Sequence, residues 1–407
     1  MFVLVSYTMT KNAVVKDNVR LSEDDRLPMS GSDDYSSENV QKRVRWIEKK
    51  FGVDLSPISS ICEPLESFKG NIENLVGVAS VPVGVIGPLK ILGEFARGEF
   101  YVPLATTEGV LANSFHRGSR LITKAGGANV QILNRSMHVS PAFKLNSLRE
   151  IRPFLAWLLT HFQDIKAVAE KTTKHGKLRS IHPKVSGSKV ILKMVYDTAD
   201  AMGMNMITIA SDHAARYIAK KCRIKTFYPR SNYSSDKKNS AHCYIECYGR
   251  SVQADVILPA DIIRYLGTTA KKMFEYYQLQ LESCVAAGMH GANGQIANGI
   301  AALFIATGQD AAHVINSGVG ITSCELRGRD IYVSVTLPSL LVGTVGGGTK
   351  RDYAKACLSI MNCYGAGNSD KFAEIAAALA LSGELSILGA LASGTFVKAH
   401  EIYGRNS

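Results

Sequence analysis

Residues 372–391 read Phe-Ala-Glu-Ile-Ala-Ala-Ala-Leu-Ala-Leu-Ser-Gly-Glu-Leu-Ser-Ile-Leu-Gly-Ala-Leu and are apolar almost all round. A helix without a polar face has to be wrapped by other elements. Residues 296–306 and 353–361 have the same alanine-rich, all-round apolar character. Together they demand a large core, and a chain of 407 residues, long enough for two or three domains, can build one without staples. No apolar run reaches the roughly 18 to 20 residues that span a bilayer. The opening stretch 1–9 is apolar but short, has no positive charge ahead of it and runs into Lys11, which makes a poor signal peptide. The expectation is a cytoplasmic protein with no membrane span.

A hydrophobic share of 46% with 20% charged residues is that of a globular chain. The eight cysteines form no C-x-x-C pair, Cys243 and Cys247 being the closest in sequence, so buried free thiols are expected rather than a zinc site or a disulfide framework. The net charge of +12 asks for an anionic partner, either nucleic acid or a phosphorylated cofactor. Between 166 and 193, Lys166, Lys171, Lys174, Lys177, Arg179, Lys184, Lys189 and Lys193 face one acid, Glu170. No Phe, Tyr or Trp interrupts them, which argues against a base-stacking surface and ranks nucleic acid last.

Residues 11–38 are polar and read as a flexible lead-in. Residues 39–51 place Val40, Val44, Trp46, Ile47 and Phe51 at helical spacing among basic residues, predicting a short amphipathic helix. The run 81–89 carries two prolines and two glycines, so it is an extended turn or edge segment. Residues 189–196 and 242–248 have strand composition, with a glycine turn and a helix over 207–221 between them. This order predicts an α+β chain: an N-terminal region 1–59, a large helix-rich domain from 60–140 and 230–407, and a small α+β unit, 141–229, inserted in it.

Six segments could carry chemistry. Glu108 sits in an otherwise uncharged turn; a first-turn acid favoured by the helix dipole is the plain alternative. Asp236, Lys237 and Lys238 leave one loop together, as a solvated charge cluster also would. Asp310 lies in a stretch, 296–314, whose one other ionisable residue is His313, and a carboxylate there is costly unless paired. His400, near the C-terminus, reads alone as an ordinary surface histidine. Residues 200–205, Asp-Ala-Met-Gly-Met-Asn, precede a helix whose free N–H groups suit a pyrophosphate, although this is not G-x-G-x-x-G. Residues 343–349, Gly-Thr-Val-Gly-Gly-Gly-Thr, allow close backbone approach but lack the ending of a P-loop.

Taken together, residues 73–77, 82–89, 105–109, 200–206, 236–238, 308–312 and 343–349 resemble, in order and approximate spacing, the motifs of hydroxymethylglutaryl-CoA reductases. The resemblance covers about 73–405, and the Asp-Lys-Lys form looks like that of the eukaryotic and archaeal class. It implies a large domain binding the CoA thioester, an inserted ferredoxin-like small domain binding NADPH, and an active site shared across a homodimer or higher homo-oligomer. It further implies that Lys237 stabilises the oxyanion, that Glu108 donates a proton, that Asp310 bridges the two, and that His400 protonates the departing CoA thiolate.

By the same resemblance Asp200, Met202, Gly203, Met204 and Asn205, with Gly346 and Gly347, surround the dinucleotide. Thr173, Lys174 and Arg405 meet its 2′-phosphate. Ser114 and Arg117 match CoA contacts, while Asp236, Lys238 and Asn298 match substrate contacts. No metal is implied. The pattern departs from the family where an arginine that holds the substrate carboxylate aligns with Val139, a serine with Arg230, a lysine near Leu279 and an asparagine with His116. Two explanations follow: Arg230 supplies the missing guanidinium, or the enzyme reduces a different acyl-CoA.

Overall fold

The computed structural model describes residues 27–28 and 34–403. Most of the predicted lead-in, and Arg405, lie outside the described residues. The chain forms two compact units, Met1–Ser80 and Val81–Ser407.

In the first unit the predicted amphipathic helix is present as Ser37–Phe51, opened by Ser36, whose hydroxyl accepts from the Asn39 N–H, and closed by Gly52 in the left-handed conformation. Arg43 is fully buried; it donates to the Leu75 carbonyl at 2.9 Å and to Asp34 at 2.7 Å. Asp34 in turn accepts from the N–H of Asn74, so one salt bridge fixes the 73–77 motif.

The second unit is built on ten strands: β1 (Val83–Leu92), β2 (Arg97–Ala105), β3 (Ala128–Val139), β4 (Ala142–Lys144), β5 (Lys177–Ser186), β6 (Lys189–Asp197), β7 (Thr226–Tyr228), β8 (Gly249–Leu258), β9 (Ile321–Arg327) and β10 (Asp330–Leu340). The sheet runs β7-β4-β6-β3-β8-β10-β9, with β1 joining β2 and β3, and β5 joining β6. Within the 81–89 run the chain is extended, as expected, and enters β1 at Val83, with a register shift between Ile86 and Leu89, where Pro88 lacks the N–H a regular ladder would use.

Strand β3 is long enough to serve two cores. Its first half pairs with β8 over the larger core, and its last residues, Met137 to Val139, pair with β6 over a second core. That second core gathers Phe143, Phe154, Ile165, Leu178, Leu192, Ile207 and Ile218 from strands β4–β6 and three helices, Ile151–Thr160, Phe162–Glu170 and Met204–Lys221. The architecture is α+β.

At the centre of the larger core lies the helix Ser369–Ser393, with Phe372, Ile375, Leu379, Leu381, Leu385 and Leu388 fully buried. Each contributes about 1.5 to 3 kcal/mol. By length and composition alone this helix is apolar enough to cross a membrane, although Glu374 and Glu384 interrupt its apolar run; 83% of its apolar window is buried inside the protein, as in a core helix. The other apolar helices, Ile296–Ala306 and Asp352–Ile360, also appear.

One expected strand does not form. Residues 242–248 hold a short helix, His242–Ile245, and the strand begins only at Gly249. Tertiary contacts override β-propensity there: Ser339 donates its hydroxyl to the Cys243 carbonyl and Asn316 its amide to the Cys243 sulfur.

Candidate active site

The Asp-Lys-Lys loop is held from within. After β7 the chain makes a turn, Asn232–Ser234, and then places Ser235 and Lys237 at φ 57° and 54°, a left-handed region that costs a side-chain-bearing residue energy. The buried Asn316 stabilises this backbone. It accepts from the Lys237 N–H at 3.1 Å and donates to the carbonyls of Ser235 and Lys238 at 3.0 and 3.1 Å. The result turns Asp236 inward, 3% exposed, and leaves the lysines accessible.

Asp236 is saturated with donors. Its Oδ1 accepts from Tyr248 Oη at 3.0 Å and from His313 Nε2 at 2.9 Å, and its Oδ2 accepts from Arg230. Burial pushes its carboxyl up, but the bonds from His313, Tyr248 and Arg230 outweigh burial and hold it well below the usual carboxylate range. Lys238 folds back to donate to the Asp236 carbonyl at 3.0 Å.

Lys237 reaches across to Asp310, with Nζ 2.5 Å from Oδ2. Asp310 caps the turn that follows it, accepting from the Ala312 N–H at 3.0 Å, and His313 Nδ1 stands 3.9 Å from its Oδ2. Burial again raises its carboxyl, and Lys237, His313 and Ala312 together bring it below the usual range. Both lysine and acid remain partly exposed, at 43% and 35% of their side chains. This pair therefore contributes little to stability and stays available to a ligand.

The segment carrying Asp310 is stapled to the glycine-rich turn. Gln309 accepts from the Gly343 N–H at 2.9 Å and donates to the Gly343 carbonyl at 3.0 Å. Gly308 and Gly348 touch backbone to backbone; a Cβ on Gly308 would stand 2.3 Å from the Gly348 carbonyl oxygen. Gly346 and Gly347 sit in the same turn.

A third cluster surrounds the start of helix Met204–Lys221. Gly203, at φ 83°, opens it without a side-chain cap, leaving first-turn N–H groups available. Met206 packs toward Gly176 and accepts from the Thr173 hydroxyl, so the 173–176 turn lies beside that helix start. Thr173 Oγ1 also accepts from the N–H groups of His175 and Gly176, while Lys174 is exposed. Asn205 is exposed, whereas Met204 is buried and Met202 partly so. The carboxylate of Asp200 is directed elsewhere. It accepts from the N–H groups of Gly367 and Ser369, and its own carbonyl accepts from Thr344.

Among the described residues, no hydrogen bond joins the other predicted residues to these clusters. Glu108 is exposed ahead of helix Leu111–Lys124, its N–H donated to Thr106 Oγ1, and no bond joins it to Lys237 or Asp310 within the described chain. Ser114 and Arg117 both engage Ser386 of the core helix, with Arg117 Nη2 2.9 Å from the Ser386 carbonyl. Asn298 is exposed at the start of Ile296–Ala306. His400 lies in the helix Phe396–Tyr403.

At the departures from the family pattern, Val139 is fully buried at the end of β3 and Leu279 is 57% exposed. Arg230 stands close to the Val139 end of β3, because the next residue, Ser231, donates both its N–H and its hydroxyl to the Ser140 carbonyl, at 2.8 and 2.7 Å. Sequence reasoning missed His313, Tyr248 and Asn316. The placement of His313 three residues after Asp310 was the one available signal.

A family model described as hydroxymethylglutaryl-coenzyme A reductase matches residues 39–405. The 3-hydroxy-3-methylglutaryl-coenzyme A reductase of Methanocaldococcus jannaschii is 43% identical over 374 residues, covering 89% of this chain and 92% of its own. The enzyme of that name from Haloferax volcanii is 39% identical, covering 98% and 100%. Among solved structures, the class II reductase of Streptococcus pneumoniae bound to NADPH superposes with a TM-score of 0.65 at 19% identity, covering 86% of this chain and 96% of its own. That likeness is one of fold.

Proposed function

The chain belongs to the hydroxymethylglutaryl-coenzyme A reductase family, and from that premise we propose that the site around Lys237 and Asp310 reduces hydroxymethylglutaryl-CoA to mevalonate and CoA. The observation that carries this reading is the accessible Lys237–Asp310 pair on a loop braced from below by Asn316. NADPH, when bound, supplies the two hydrides the reaction consumes. Lys237 stands as the cation for the oxygen that becomes negative when the thioester carbonyl carbon is reduced, a charge greater in the transition state than in the substrate. Asp310 fixes the ammonium's position. Protonation of that oxygen gives a hemithioacetal, and Glu108 is the assigned donor. As the C–S bond breaks, the hemithioacetal hydroxyl returns its proton to Glu108, leaving an aldehyde and a CoA thiolate that takes its proton from His400. A second reduction of the aldehyde, with a proton delivered to its oxygen by Glu108, gives the primary alcohol.

The cofactor fits the small unit, 141–229. The uncapped start of Met204–Lys221 offers N–H groups to a pyrophosphate, and the exposed Lys174 beside it suits a 2′-phosphate, with Arg405 assigned to the same group. Gly346 and Gly347 leave room for the dinucleotide to approach the backbone. We assign Ser114 and Arg117 to CoA, and Lys238 and Asn298 to the acyl end. Arg230, beside the end of β3 that carries Val139, takes the acyl carboxylate, with Asp236 orienting it.

A homodimer completes the site in this reading. No bond joins Glu108 to Lys237 or Asp310 among the described residues, and Leu279, Val285 and Met289 are exposed apolar side chains along and after the helix Ala270–Ala286. All eight cysteines are free, which suits a reducing cytoplasm. The test is NADPH absorbance on mixing with hydroxymethylglutaryl-CoA. Two equivalents oxidised per thioester support the full reduction; no oxidation with this thioester, but turnover of another acyl-CoA, would move the proposal to that substrate.

A further inference from the structure

One buried titratable side chain at the centre of the site has no part in the chemistry above. His313 is 1% exposed, with Nε2 2.9 Å from Asp236 Oδ1 and Nδ1 3.9 Å from Asp310 Oδ2. Each of those carboxylates also holds a cation on its other side. Asp236 takes Arg230, and Asp310 takes Lys237. The side chains of Arg230, Asp236, His313, Asp310 and Lys237 therefore form a continuous row in which basic and acidic groups alternate.

Resting on the assignment of Lys237 to the oxyanion and Arg230 to the acyl carboxylate, we propose that His313 is a positioning residue that couples the two cations, so that an acyl carboxylate docked on Arg230 improves the placement of Lys237. The hydrogen-bond directions set the geometry. Tyr248 donates to Asp236 Oδ1, and an ionised carboxylate only accepts, so His313 also donates to it from Nε2. Nδ1 then faces Asp310. An anion that draws Arg230 away from Asp236 leaves that carboxylate depending more on His313, and a small shift of the ring changes its distance to Asp310 and with it the Lys237 pair. Both ends of the row are accessible, Arg230 at 39% and Lys237 at 43% of their side chains, while Asp236 and His313 between them are sealed. A ligand can therefore act on the ends but not replace the centre with water. The charged and titratable groups facing His313 are Asp236 and Asp310, with Tyr248, Cys243, Arg230 and Lys237 one contact further out.

The experiment measures kcat and KM in the full-length protein with hydroxymethylglutaryl-CoA and with 3-hydroxy-3-methylbutyryl-CoA, which lacks the terminal carboxylate. In the wild type, loss of the carboxylate should lower kcat by roughly 5- to 30-fold in addition to raising KM. Equal kcat values for the two thioesters would overturn the coupling with no variant needed. In H313Q the amide still donates to Asp236 but nothing faces Asp310. The kcat difference between substrates should shrink to within about twofold, and the pH profile of kcat should change shape, whereas a merely structural residue would alter stability and leave both unchanged. H313N serves if circular dichroism finds H313Q unfolded. A wild-type kcat ratio and pH profile in the folded variant sinks the proposal. Activity retained in K237M would instead sink the assignment of the site, and the two failures are thereby distinguished.

Discussion

The core helix Ser369–Ser393 and the loops that carry Asp236 and Asp310 each hold two carboxylates, and they treat them in opposite ways. Among the described residues Glu374 and Glu384 have no cation partner. Glu374 accepts from the N–H groups of Glu94, Phe95 and Ala96, and Glu384 from those of Gly294 and Gln295 and from the Thr322 hydroxyl. Burial pushes both carboxyls up, because neutral donors do not fully offset lost hydration. Asp236 and Asp310 lie against Arg230, His313 and Lys237 and are pushed down. Acids of the first kind anchor loops to a core; acids of the second kind stay ionised and keep cations in place for a ligand.

The sharpest way to break that contrast is to delete one member of each pair. Glu384→Ala leaves three donors unanswered inside the core and should cost about 3 to 5 kcal/mol of stability; a urea midpoint close to wild type would mean that water or a neighbouring group takes over and that the anchor is dispensable. Lys237→Met should do the reverse, lowering kcat by about 100- to 1,000-fold while thermal unfolding barely moves. Arg230→Ala should raise KM for the acyl-CoA roughly tenfold or more and spare that for NADPH. An unchanged acyl-CoA KM would place the acyl carboxylate elsewhere.

The smallest effect concerns the pH dependence of stability. Asp236 has a folded value below its ordinary 3.8, so its stabilisation is complete above 3.8 and is lost as the pH falls through the folded value. Glu384 has a folded value above its ordinary 4.5, so its contribution is complete below 4.5 and is lost as the pH rises through the folded value. Asp236→Asn should therefore flatten the acid side of the curve and Glu384→Gln should flatten its rise toward lower pH, each by on the order of 1 kcal/mol. Parallel changes in both variants, read from denaturant midpoints across the pH range, would show that the two pairs do not differ.

Much of this was legible in the chain itself. The apolar helices announced themselves because their partners lie on every side, and the helix Ser37–Phe51 because its apolar residues keep a helical period; its Ser36 cap and closing Gly52 emerged only in the fold. Segments 236–238 and 308–310 were each suspect for bringing charge into a region of small residues, and Lys237 and Asp310 do meet. What stayed hidden acts across long stretches of sequence. Asn316 braces a loop 79 residues before it, and Glu374 caps a hairpin nearly three hundred residues upstream, where no periodicity can register the pairing. Residues 242–248 misled for a related reason, since their aromatic and β-branched composition suits a strand while the buried contacts of Cys243 require a turn. Asp200 reads in sequence as part of a phosphate loop, yet its carboxylate ties down the backbone that starts the core helix.

The contact of Gly308 with Gly348 has a bearing on how such a protein can be altered. Two segments that touch through bare backbone, and are clasped again by Gln309, behave as one casting: neither can be redrawn while the other keeps its shape. On the proposed placement of the dinucleotide at the glycine turn, lengthening or bulking up that turn will tilt the mount on which Asp310 sits, and changes in cofactor preference should arrive with changes in turnover unless both segments are exchanged together.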